Sequence, residues 1–119
     1  IISKEPLGPL VRHGDNNWGD VVRWTFYALV AAEELGITSA NVAEMAAAPT
    51  ANPEINRLLG TEGEMGAMMG LENNWAVNVI KAVGNYGEVW ERNMTPIGFP
   101  RGVNNLWTRG GLQYAPPMR

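Results

Sequence analysis

Apolar positions along this chain recur mainly at helical spacing. Trp18, Val21, Val22, Leu29 and Ala32 form one stripe and Trp24, Ala28, Ala31 and Leu35 a second, which predicts a helix from Asn17 to Leu35. Asp15, Asn16 or Asn17 can cap its start, and Gly36 suits the left-handed position just past its end. Two stripes on one helix demand neighbours on several sides, more than so short a chain is expected to supply. Ser39 is the expected cap of a second, alanine-rich helix through Ala47, ended by Pro49. Asn52-Pro53 reads as a cap followed by proline in the first turn of a third helix, which stops at Gly60. A fourth starts at Asn73 or Asn74 with Trp75, Val79, Ile80 and Val83 on one face; after Gly84-Asn85 interrupts it, Tyr86, Val89 and Trp90 continue the spacing to about Asn93.

The remaining stretches are punctuated rather than periodic. Ile1 to Arg12 carries Pro6, Pro9 and β-branched residues, so it should run extended, as an edge strand or a connection between two bodies. Thr61 to Gly70 reads as an irregular loop with a helical turn around Ala67 to Met69. Met94 to Arg119 is rich in proline and glycine, with one short helix expected at Val103 to Trp107. The apolar run Trp24 to Ala32 is too short to cross a bilayer and is read as a buried helix.

Composition narrows the classes of function. A chain of 119 residues, 45% hydrophobic and 18% charged, should fold as one unit or as a piece of a larger one. Nine basic against twelve acidic side chains give a net charge of -3, and the basic ones are scattered, which argues against nucleic acid as a partner. Without cysteine there is no disulfide scaffold, thiolate nucleophile or thiolate metal site. The chain begins at Ile1 with no basic and apolar leader before it, so it is read as a processed or truncated product, or part of something longer.

The chemistry-bearing residues do not assemble into a catalytic pattern. His13 is the only imidazole and lies in a polar turn, where a solvated loop role is expected; Asp15 beside it is read as a helix cap. Glu33-Glu34, Glu62/Glu64 and Glu88/Glu91 are the acidic groupings. The first pair points in different directions on a helix, the second belongs to a solvated loop, and the third is read as the wet face of its helix. Gly84-Asn85-Tyr86-Gly87 lacks the third glycine, preceding strand and lysine of a phosphate loop. Met65, Met68 and Met69 are expected to pack, as are most of the five tryptophans, with Trp107 plugging the tail onto the body. Asn93-Met94-Thr95 fits a glycosylation pattern with nothing else to support it. No metal site, cofactor or enzymatic centre is expected.

Taken in order, several strings resemble the later part of the general L-amino-acid-binding proteins of polar amino-acid ABC importers (solute-binding protein family 3). They include Ser3-Lys4-Glu5-Pro6-Leu7-Gly8-Pro9 with Val11-Arg12-His13-Gly14-Asp15, and Ala32-Glu33-Glu34-Leu35-Gly36. Asn52-Pro53-Glu54-Ile55, Val83-Gly84-Asn85-Tyr86-Gly87-Glu88, Pro100-Arg101-Gly102 and Gly110-Gly111-Leu112 through Arg119 continue the match. The resemblance implies a two-lobed α/β periplasmic-binding-protein fold of which this chain is a mainly α segment, four to five helices plus one extended crossover strand. Residues 1-14 would be the crossover strand and turn, and 15-119 the helical C-terminal part of lobe one with an irregular tail.

The same resemblance implies a non-enzymatic, periplasmic solute-binding component. Its ligand would be an L-amino acid when the upstream part is present, and its partners the ABC permease transmembrane subunits. The ligand clamp, an Arg for the α-carboxylate and an Asp for the α-ammonium, is expected upstream, so no binding residue maps onto this sequence. Arg12 and Asp15 imitate such a pair, but a structural role is expected of them. Two alternatives stay open: a helical interaction module, homo-oligomer or complementing fragment that lacks ligand binding, and an enzyme on the same scaffold.

Overall fold

Asp15 starts the longest helix: its carboxylate accepts a hydrogen bond from the Trp18 backbone N–H at 3.1 Å, satisfying one of the donors a helix start leaves over. The computed structural model describes residues 7–118, and in it α1 runs Asn16–Glu34. The helix stops where Gly36 turns left-handed, φ 71°. There the Ile37 N–H donates to the Ala32 carbonyl at 2.8 Å, and the Ile37 side chain tucks fully into the core. That pairing of a left-handed glycine with an apolar residue behind it is what fixes the chain reversal.

Five further α-helices follow: α2 (Val42–Ala47), α3 (Pro53–Leu59), α4 (Met65–Met68), α5 (Trp75–Val83) and α6 (Tyr86–Asn93). In α3, Asn52 caps the Glu54 N–H at 2.9 Å, Pro53 occupies the first turn, and Gly60 leaves at φ 73°. The tail folds as three 3-10 turns, Thr95–Ile97, Gly102–Asn104 and Trp107–Arg109, with a single parallel bridge joining Leu106 to Gln113. Helix α5 is the hub, packing on α1, α2 and α3, while α6 lies along α1. Val30, Ile37, Leu58, Ile80, Leu106 and Met118 are the innermost side chains, so the irregular tail returns to the same core that the helices build.

The mainly helical reading holds, with differences in detail. Ile1 to Pro6 of the expected crossover strand lie outside the described residues; Leu7 to Arg12 take no strand pairing, and no sheet is present among the described residues. Ser39 does not cap α2. Asn41 occupies that position, its side-chain oxygen turned back onto the Thr38 N–H at 2.7 Å, because the Ser39 hydroxyl is drawn away to Glu88. The helix expected over Val103 to Trp107 is replaced by two separate 3-10 turns. Asn105 between them is extended, at φ -75° and ψ 164°, and sends its carbonyl to the Gln113 N–H rather than along a helix.

Helix α1 is clothed at one end only. Its second half is buried, but Trp18 is exposed and Val21, Val22, Phe26 and Tyr27 are half-covered. The two-stripe pattern of α1 is thus half-satisfied within the described residues.

Candidate functional site

Two places gather polar chemistry. The first is an open groove of about 470 Å³ at the start of α1, lined by Arg12, His13, Asp15, Asn16, Asp20 and Arg23. Asp15 spends an oxygen on the helix cap, and Arg23 pairs with Asp20 at 3.0 Å, both well exposed. His13 sits in the exposed turn. The cap role of Asp15 is the geometry the sequence predicts for it. Beside it lies an apolar hollow of about 320 Å³ along Pro9, Val11, Val22, Phe26 and Tyr27.

The second is a buried polar cluster built around Gly84-Asn85-Tyr86-Gly87-Glu88. Gly84 turns at φ 82° to end α5. Asn85 then opens α6 with a reciprocal cap: its oxygen accepts from the Glu88 N–H at 2.9 Å, and the Glu88 carboxylate accepts from the Asn85 N–H at 2.8 Å, a capping box with asparagine in the first place. The Asn85 amide also donates to the Ile37 carbonyl at 2.8 Å. Glu88 reaches further, accepting from the Ser39 hydroxyl at 2.6 Å and its N–H at 3.1 Å. One string of five residues thereby ties α6 to the loop between α1 and α2.

Glu88 is therefore not the wet face of its helix, as its spacing with Glu91 implies. Burial pushes its carboxyl up, but hydrogen bonds from the Ser39 side chain and from the Asn85 and Ser39 backbones, with the Arg92 charge, outweigh this and hold it below its ordinary value of 4.5. A depressed carboxyl stabilises the fold above the unfolded-state pKa and loses that contribution as pH falls through the folded-state value. Glu88→Gln should cost on the order of 1 kcal/mol at neutral pH, a charge-assisted bond discounted for partial exposure. Urea titrations of both proteins from pH 7 to pH 3 should show the gap closing at the acid end; a gap constant across that range would remove the charge from the account.

Across α6 lies the other half of the cluster. Glu33, which sequence spacing leaves without a role, is buried at the end of α1, its side chain 7% exposed against 13% for Arg101. The two meet in a bidentate pair with both N–O distances at 3.0 Å. Arg101 also donates to the Asn104 carbonyl, and its guanidinium lies 5.2 Å from the Tyr86 ring centroid and 5.8 Å from that of Trp90. Gly87 makes the approach possible: a Cβ there would stand 2.9 Å from the Glu33 carboxylate. Burial raises the Tyr86 hydroxyl pKa, Arg101 lowers it and Glu33 raises it, with the net upward.

Within the cluster Glu33 accepts both prongs of Arg101 and Glu88 accepts from Ser39 and Asn85, and among the described residues no three His, Cys, Asp or Glu side chains are grouped to hold a metal. Trp107 is not a plug: it stays 53% exposed, its indole N–H reaching Glu34 at 3.2 Å and its ring meeting Tyr114 edge-on. The methionines divide, Met69 packing in the core while Met68 is 85% exposed.

No family model matches the chain. Known proteins do. Over its whole length it is 67% identical to a glutamate/glutamine/aspartate/asparagine-binding protein of Rhodobacter capsulatus. It is 59% identical to a general L-amino acid-binding periplasmic protein of Rhizobium johnstonii. Each match takes in 100% of this chain and 36% of the relative, so the chain spans about a third of the length of these curated relatives. Among solved structures, an ABC transporter periplasmic binding protein from Brucella ovis with glutathione bound matches at 54% identity and a TM-score of 0.92, over 100% of this chain and 38% of that one. The strings GNYGE and GGLQYAPPMR, singled out in the sequence, fall inside these whole-length matches.

Proposed function

From a chain that corresponds over its whole length to one segment of the binding proteins of amino-acid ABC transporters, we propose the role of the helical part of a periplasmic solute receptor. In this reading the receptor captures L-amino acids and delivers them to the transmembrane permease. Residues 1-14 return the chain from the second lobe, and 15-119 complete the first. The observation that carries it is the 67% identity in a match that covers 100% of the chain. The relatives named above bear the names of binding proteins, and the polar cluster, which ties α6 and the tail to the end of α1, suits a scaffold.

The half-clothed face of α1 supports the same division of labour. Val22, Phe26 and Tyr27 await a cover that the other two-thirds of such a receptor would supply, and the ligand clamp belongs there too. The ligand class is the α-amino acid zwitterion: a carboxylate suited to a bidentate guanidinium and an ammonium suited to a carboxylate. That group is shared by glutamate, glutamine, aspartate and asparagine, and by the free γ-glutamyl end of glutathione.

Calorimetry tests it, on a protein in which this chain is joined to the remaining length found in its relatives. Titration with those four amino acids and with glutathione should give at least one Kd of about 1 μM or tighter, roughly -8 kcal/mol. A folded protein that releases no heat with any of the five removes the proposal. The open face of α1 also favours a second reading, association of this chain with a copy of itself. Light scattering on the chain alone separates them: a well-folded monomer leaves only the receptor.

A further inference from the structure

We infer that residues 98–118 form a strap that opens from the helical body as a unit, and that Arg101, held in a box of Glu33, Tyr86 and Trp90, is its latch. The inference concerns this chain's own mechanics and stands whether or not the receptor reading does.

The first observation is electrostatic. Glu33 and Glu34 close α1 with no basic residue in its last turn, although acids at a helix C-terminus oppose the helix dipole. Both are answered from the strap: Glu33 by Arg101 at 3.0 Å and by Arg109 at 3.7 Å, and Glu34 by the Trp107 indole. The end of α1 is thus electrostatically incomplete until the strap is down.

The second is the distribution of burial within the strap. Leu106, Ala115 and Met118 are buried, whereas Phe99, Val103, Trp107, Leu112 and Tyr114 are exposed. Its backbone bonds largely close on the strap itself: Gln113 and Leu112 donate to Asn105 and Val103, and Trp107 and Gly111 to Gln113 and Leu106. A segment bonded within itself and attached at a few points opens with its internal structure intact, at a lower free energy than the core. The third is the box. Its acid wall is buried, two aromatic faces flank the cation, and Gly87 leaves the side chain's space to the pair. Removing the guanidinium would leave a shaped anionic site that no other cation among the described residues is placed to fill as well: Arg109 reaches Glu33 only at 3.7 Å from an exposed position.

Native-state hydrogen exchange on the unaltered chain is the first test. The amides of Trp107, Gly111, Leu112 and Gln113 should exchange through one common opening, about tenfold or more faster than those of Ile80 and its neighbours in α5. Arg101→Ala should speed the strap amides by at least about a further tenfold while leaving α5 protection within about threefold. Guanidinium chloride at low millimolar concentration should then restore strap protection saturably, where equal sodium chloride or urea does not. Arg101→Lys, which cannot make the planar two-pronged contact, should resemble the alanine variant. Strap and α5 amides opening together in the unaltered chain would overturn the strap. Unaltered strap exchange in Arg101→Ala, or rescue by sodium chloride as readily as by guanidinium, would overturn the latch.

Discussion

Gly60→Ala should cost the chain about 2–4 kcal/mol, whereas the superficially equal Gly36→Ala should cost only about 1 kcal/mol. Both glycines end a helix in the left-handed region, at φ 73° and φ 71°, so each alanine meets the same backbone strain of about 1 kcal/mol. They differ in what a Cβ would touch. At Gly36 nothing lies within 4 Å; at Gly60 the new carbon would stand 1.9 Å from the Asn73 carbonyl oxygen and 2.5 Å from its carbon. These are backbone atoms just ahead of α5, so relief requires moving the hub helix against α3. An overpacked contact costs roughly 1–3 kcal/mol on top of the strain, for a total of about 2–4 kcal/mol from a stability expected near 5–15 kcal/mol. Urea midpoints of the two variants against the parent are the check, and equal losses would show that the approach of Asn73 to α3 is not as close as described.

That contrast marks where the sequence is legible. Both helix ends can be read from their glycines, because a left-handed residue beyond an apolar stripe is a local signal. So can the Asp15 and Asn52 caps and the break at Gly84-Asn85, each decided within four residues of chain. The closeness of Gly60 to Asn73 is not local, and neither is the use made of Glu33, Ser39 and Glu88. Their partners lie 68 residues away for Glu33 and 49 for the other two, and helical spacing assigns an acid to the wet face unless its partner is already known. Hence spacing puts Glu88 in solvent and Ser39 at the cap of α2, and it assigns no role to Arg101, the cation of the buried pair.

The tail defeated pattern reading for a related reason. Its turns are three residues each, shorter than one helical period, and its anchors Leu106, Ala115 and Met118 follow no single repeat. The functional reading came instead from whole strings such as GNYGE, whose residues prove to have separable physical tasks: a left-handed turn, a cap, an aromatic wall, an open space and a second cap. The ligand clamp is a different case: the resemblance places it outside this sequence, and helical spacing assigns no binding residue within it.

Ile80→Ala is expected to be the most damaging of the simple truncations, and the manner of the loss matters as much as its size. Ile80 is fully buried midway along α5, the helix that packs on α1, α2 and α3 together. Deleting three carbons there removes burial and leaves a cavity, for a cost of about 2–5 kcal/mol, while Ile80→Val should cost about 0.5–1.5 kcal/mol. Val83→Ala, on the same helix but more than a third exposed, supplies the comparison and should lose clearly less. Because the three helices packed on α5 share the damage, the faster exchange should spread through α1, α2, α3 and α5 alike, unlike the confined opening expected of Arg101→Ala. Exchange confined to α5 in the Ile80→Ala variant would mean that the helices do not form one cooperative body, and α5 could no longer be regarded as the element that joins them.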